Sequence, residues 1–174
     1  LIYCMMVVSA NEACNIVAEA VSGSVNAFVD LMNQRAKELG CQNTHFANTC
    51  GLTAIGHYSS AWDIYLIAKE AMKYEKFQNA AYTTWYEIPP TNKCEKTRVF
   101  HTTNSLLDSW RISGYEYGPA RGIKTGHTND AGYCLASSAS REGLDFLVLV
   151  FGAPDSDTCF RDSVTLLDWA FGNY

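Results

Sequence analysis

The 174-residue chain contains no apolar run that approaches the ~18–20 residues of a membrane span. Charge is sparse, at 18 % of residues, and the 13 Lys and Arg are outnumbered by 18 Asp and Glu. A net charge of −5 argues against nucleic acid as the main partner, because phosphate binding needs a basic face. No basic-then-apolar export signal opens the sequence. No internal repeat or low-complexity linker divides it. None of the seven cysteines lies two or three residues from another, so the C-x-x-C spacing of zinc and redox sites is absent. Being odd in number, they leave at least one thiol unpaired within the chain. Small buried hydrophobes are the simpler reading of them, with one or two disulfides as the alternative.

What is present is a globular composition, 48 % apolar, in a length that suits one domain or a large piece of one. Residues 1–8 read as the end of a buried helix, and 12–21 resume it after the polar break Ser9-Ala10-Asn11. Ser24 is placed to cap a helix over 25–39, with Phe28, Leu31, Met32, Arg35 and Leu39 at helical spacing and Gly40 as the stop. Ser60-Ala61-Trp62-Asp63 reads as a capping box opening a helix to about Lys73. Its buried face should carry Ile64, Ile67, Ala68, Ala71 and Met72. A short helix near 75–81 and an extended stretch over 82–102, broken at Pro89-Pro90, follow.

The period then changes. Gly122–His127, Gly132–Ser140 and Leu144–Gly152 read as three strands joined by two tight turns. Asp155 or Asp157 caps a last helix with Val164, Leu167 and Phe171 on one face. The expectation is a two-layer α/β (α+β) domain. Residues 1–115 are mostly helical, and 116–174 hold the meander and its covering helix.

Two short segments could carry chemistry. Lys124-Thr125-Gly126 puts a cation, a hydroxyl and a missing side chain in succession on a strand. On an edge strand, the free backbone groups there could pair with an extended peptide. The bland alternative is a surface lysine before a turn. Ser9 and Asn11 interrupt an apolar helical stretch, so their polar groups must be hydrogen-bonded or face a cleft. The bland alternative is an N-cap, with Ser9 or Asn11 accepting from backbone N–H groups.

Taken together, Ser-x-Asn on an interhelical loop and Lys-Thr-Gly on a later strand match two of the three motifs of penicillin-binding proteins and serine β-lactamases. The flanks MMVVSANEACNIVAEAVSGS, FVDLMNQRAKELGCQNTHFANTCGL, GHYSSAWDIYLIAKEAM, GIKTGHTNDAGYCLASSASREG and LLDWAF narrow this further. They closely resemble the low-molecular-weight D-alanyl-D-alanine carboxypeptidases, serine peptidase family S11. The resemblance runs over nearly all of Leu1–Tyr174.

The resemblance implies a β-lactamase/transpeptidase-like fold, a helical subdomain beside a five-stranded antiparallel sheet with the site between them. It implies removal of the terminal D-alanine from peptidoglycan stem pentapeptides through an acyl-enzyme, acylation by β-lactams, and a place outside the cytoplasmic membrane. Neither cofactor nor metal is implied. By position, Ser9 would relay a proton to the leaving amine. Asn11 would hold the substrate amide and the lysine of the nucleophile motif, and Lys124 would supply positive potential. Thr125 would bind the terminal carboxylate, Gly126 would give clearance, and the His127 N–H would form half of the oxyanion hole.

Three departures are visible. No serine in the chain has Lys three residues later, so the family's Ser-x-x-Lys nucleophile motif is missing. The chain is therefore expected to begin inside the catalytic domain, with three of five strands, and to be inactive alone. A companion N-terminal fragment, a domain-swapped oligomer or marginal stability should follow. The arginine that family members place before the aromatic residue of the last helix is replaced by Cys159, with Arg161 two residues on. The sequence also stops at Tyr174, whereas many family members continue into a β-rich second domain and an amphipathic membrane anchor. A β-lactamase sibling is disfavoured, because the Glu-x-x-Leu-Asn segment that supplies the deacylating base in that class does not occur. A non-catalytic peptidoglycan- or β-lactam-binding relative is the alternative function.

Overall fold

A computed structural model describes all 174 residues. Six helices and five strands follow in the order α1 (Ile2–Val8), α2 (Asn11–Ser22), α3 (Val25–Glu38), α4 (Ala61–Ala71), α5 (Glu75–Tyr82), β1 (Trp85–Ile88), β2 (Arg98–His101), β3 (Ala120–Thr128), β4 (Gly132–Arg141), β5 (Leu144–Ala153) and α6 (Ser156–Asn173). Strands β3, β4 and β5 form one antiparallel sheet in sequence order, and β1 and β2 form a separate antiparallel hairpin. The 82–102 segment is thus extended on both sides of Pro89-Pro90, as composition suggested, but it folds back on itself.

Local chemistry sets most element boundaries. The Ser24 hydroxyl accepts from the Ala27 N–H at 3.1 Å and starts α3. The Asp155 carboxylate accepts from the Thr158 N–H at 2.6 Å and starts α6. Ser60 accepts from the Asp63 N–H at 3.2 Å, so half of the expected capping box forms. The other half does not. The Asp63 carboxylate turns away to the 43–44 loop, accepting from the Asn43 N–H at 2.7 Å and the Thr44 hydroxyl at 2.8 Å. Only 1 % of Asp63 is exposed. Burial is the largest single influence on this carboxyl and opposes its charge, yet the hydrogen bonds together hold it below its ordinary value.

The sheet is covered on both faces. α6 packs on β5 and β4 over the main core, which holds Leu106, Leu135, Ala139, Phe160, Leu167 and Phe171. On the other side, α5 packs on β3 and α4 on β5, around Ala68, Ala81 and Ile123 with Met6, Met72, Phe77 and Leu147. On α4, Ala68 is buried, whereas Ile64, Ile67, Ala71 and Met72 are half-buried. The α3 stripe is open: Phe28, Leu31, Met32, Arg35 and Leu39 line a groove of about 340 Å³ with Ala36, Phe46 and Ile67.

Both outer strands of the sheet have one unpaired edge, since β3 pairs only with β4 and β5 only with β4. The exposed surface totals 10318 Å². A compact monomer of 19.3 kDa exposes about 8,500 Å². The excess of roughly 1,800 Å² is about twice the ~800 Å² that one partner contributes to an ordinary protein–protein interface. All seven cysteines are free, with Cys159 buried and the other six half-buried. No helix is long and apolar enough to cross a membrane.

Candidate active site

Ser9 sits between α1 and α2 with φ 59° and ψ 42°, in the left-handed region. A non-glycine residue is held there at a cost of about 1–2 kcal/mol. Its backbone is the C-cap of α1, and its side chain is exposed with no hydrogen-bond partner in the protein. The capping alternative does not occur. The N-cap of α2 is Ala10, without a side-chain bond, and neither Ser9 nor Asn11 caps that helix. Ser9 thus presents an uncommitted hydroxyl at a strained corner, and Asn11 follows at the first turn of α2.

Lys124 lies on β3 opposite Ala136. Its Nζ donates to the Thr125 carbonyl oxygen at 2.8 Å. Burial disfavours the ammonium and lowers its pKa to about 8, with the positive charge of Arg111 adding to that and the Cys14 thiol of α2 opposing it. The two elements that bear the candidate motifs therefore meet electrostatically, through Lys124 and a residue three after Asn11.

Thr125 pairs with Leu135 and is half-buried. Its hydroxyl lies 2.5 Å from that of Thr103, which follows β2. Thr103 carries no motif of its own, and only the fold brings it to the strand. The adjoining Asn104 is 2 % exposed; its Oδ1 accepts from the Leu106 N–H at 3.1 Å, while its Nδ2 has no partner. Gly126 is exposed, with nothing nearer than 4.0 Å to the place of a Cβ, so the strand surface is open there. The exposed His127 ring lies against Tyr133, tilted by 34° with centroids 4.1 Å apart.

The arginine question has a structural aspect. Cys159 is 3 % exposed and belongs to the main core, where burial pushes its thiol up to about 11. Arg161 points along α6, donating to the Thr158 hydroxyl at 3.1 Å and lying 4.0 Å from the Asp162 carboxylate. Arg111, in the loop before β3, is the exposed cation that Lys124 senses. Sequence reasoning did not select it. Its neighbour Trp110 stacks on His101 at 4.0 Å, which anchors this loop beside the Thr102–Asn104 turn.

This geometry coincides with a family match over residues 1–155, to the model described as D-alanyl-D-alanine carboxypeptidase, Peptidase S11. The chain belongs to this family. It is 39 % identical over 97 % of its length to D-alanyl-D-alanine carboxypeptidase DacF of Bacillus subtilis, covering 41 % of that protein. It is 34 % identical over 94 % of its length to DacA of Escherichia coli, covering 38 %. A Streptomyces DD-transpeptidase structure superposes with TM-score 0.88 at 29 % identity, over 98 % of this chain and 66 % of that one. The chain of this S11 family member thus spans about two fifths of the length of these curated relatives. The fold is the DD-peptidase fold, with helices beside an antiparallel sheet.

Proposed function

We propose that this chain supplies the Ser-x-Asn and Lys-Thr-Gly parts of a serine-type D-Ala-D-Ala carboxypeptidase site. The complete site would remove the terminal D-alanine from peptidoglycan stem pentapeptides outside the cytoplasmic membrane, through an acyl-enzyme that β-lactams also form. The observation that carries the reading is Ser9. Its left-handed backbone, at φ 59°, closes the C-terminus of α1, while its exposed hydroxyl caps neither helix and bonds to nothing else in the protein, which leaves it free for a substrate.

The roles follow from the chemistry. The serine acylated in this family belongs to a Ser-x-x-Lys motif, where the lysine activates the hydroxyl, and this sequence lacks that motif. Ser9 relays the proton to the departing D-alanine amine, and Asn11 holds the substrate amide and the activating lysine. Lys124, with a pKa of about 8, sets the local potential and the order of that network. The Thr125 hydroxyl, positioned by Thr103, receives the terminal carboxylate. The unpaired edge of β3 receives the extended peptide, with clearance at Gly126 and the oxyanion at the His127 N–H.

The segment carrying Ser-x-x-Lys, as a companion piece or in a domain-swapped partner, covers the unpaired edge of β5. Three features support this. There is the surplus exposed area. There is a cavity of about 590 Å³ on the sheet face beside that edge, lined by Arg121 of β3, Ser138 of β4 and Phe146 of β5 together with Tyr65, Met72 and Tyr82. And on that cavity's wall the Ser138 hydroxyl is buried without a partner.

The test is release of D-alanine from a peptide ending in D-Ala-D-Ala. The chain alone should release none. A chimera joining the Ser-x-x-Lys part of the Bacillus subtilis relative to Leu1 should release it. Turnover by the chain alone that is lost on Ser9→Ala would make Ser9 the nucleophile and overturn the assignment. Binding of the peptide by the folded chimera without turnover would favour the non-catalytic alternative.

A further inference from the structure

We infer that Cys14 and Cys50 form a thiol pair that closes to a disulfide and bolts the 48–52 turn to the first turns of α2, beside the Lys124 corner of the site. The two cysteines are far apart in sequence, and nothing in their spacing links them. The fold does. The Thr49 hydroxyl donates to Asn15 Oδ1 at 2.6 Å, joining the residue before Cys50 to the residue after Cys14.

Each thiol is held in place by its own surroundings. The Cys14 Sγ turns back along α2 toward the Ala10 carbonyl oxygen at 3.6 Å. Cys50 sits in a turn built by one side chain. Asn48 Oδ1 accepts from the Cys50 N–H at 3.2 Å and the Gly51 N–H at 2.8 Å, and Asn48 Nδ2 donates to the Leu52 carbonyl at 2.7 Å. Gly51 supplies the φ of +83° that the turn needs. Both thiols are half-buried, so a small oxidant can reach them and solvent does not flood them. Their proximity also shows in titration: burial raises the Cys14 thiol first, the nearby Cys50 raises it further, and the Lys124 ammonium opposes both.

The oxidant class is a low-molecular-weight disulfide. One thiolate of the pair attacks a sulfur of that disulfide, forming a mixed disulfide and releasing one small thiol. The second protein thiolate then attacks the protein-bound sulfur and expels the other small thiol. Two protein thiols are oxidised, one small disulfide is reduced to two thiols, and the protons leave with them. Among the other cysteines, Cys41 lies toward the Asp63 carbonyl and Cys94 is in the loop between β1 and β2. Cys134 neighbours Cys159, but Cys159 is 3 % exposed in the core, out of reach of a small disulfide.

The test is oxidation of the whole chain with oxidised glutathione, alkylation of what remains, and non-reducing digestion with mass analysis. The expected result is a Cys14–Cys50 cross-linked peptide as the principal oxidised species, lost on reduction. Cys50→Ser should abolish it and leave Cys14 free or singly glutathionylated, whereas Cys94→Ser should leave it unchanged. The readout on the unsubstituted chain does not depend on any variant folding. Glutathione on Cys14 and on Cys50 separately, both thiols still open to alkylation, or a cross-link through other cysteines would each overturn the proposal. The inference does not rest on the peptidase reading, and its test is blind to turnover.

Discussion

Ser9, Lys124 and Thr103 are the residues on which the proposed site turns, and each makes a separable prediction. Ser9→Gly removes the Cβ that resists φ 59°, so the isolated chain should gain about 1 kcal/mol in denaturant unfolding. The same substitution in the catalytic chimera should lower kcat by roughly a hundredfold or more, the scale of a lost proton relay. A chimera that keeps full kcat would place the relay elsewhere. Thr103→Val removes the hydroxyl that holds Thr125 and should raise KM for the peptide by about tenfold while leaving kcat nearly unchanged. An equal loss in kcat would mean that Thr103 acts on the reacting atoms. Lys124 makes a prediction about pH. Its folded pKa of about 8 lies below the unfolded value of ~10.4, so between these values the unfolded state binds more protons. Stability should therefore rise with pH across about 8 to 10, and Lys124→Met should flatten that rise. Thr103, Asn104 and Arg111 were not legible in the sequence, because their roles come from contacts across the fold. Ser9 and Lys124 were legible only as partners in two motifs.

At the scale of elements, legibility followed the range of the interaction. Ser24 and Asp155 cap their helices through bonds to the third residue on, so the sequence places the first outright and narrows the second to Asp155 or Asp157. The three strands of the meander were equally local, being set by period and turn residues. Asp63 shows where this stops: its spacing from Ser60 suggests a capping box, yet two donors on a distant loop claim the carboxylate. The β1–β2 hairpin was seen only as extended chain, because its pairing spans the prolines. The turn between β3 and β4 supports a stability prediction. Gly132 has φ +66°, and a Cβ there would lie 2.9 Å from the Ala153 carbonyl oxygen. Gly132→Ala should cost about 2–4 kcal/mol, combining the left-handed penalty with a backbone clash. A chemical-denaturation midpoint checks it, and a loss below 1 kcal/mol would mean the turn relaxes freely.

The whole molecule has the fold of its family and an open surface. It exposes more area than a compact monomer, and the free edge of β5 and the unpartnered Ser138 hydroxyl lie where a further segment can pack. Neither hydropathy nor motif spacing displays such a surface; it exists only once the strands are ordered and their edges counted. On the proposed function, the residues here hold the proton-relay and carboxylate-binding parts of the site while the nucleophile lies on a segment outside them. The most direct test is covalent labelling with a fluorescent penicillin, read on a denaturing gel and by intact mass, for the purified chain and for the chimera. The proposed function requires no label on the chain and one label per chimera, on its Ser-x-x-Lys serine. A stable one-to-one adduct on the pure chain alone, mapped to Ser9 or to any other serine of this sequence, would contradict it.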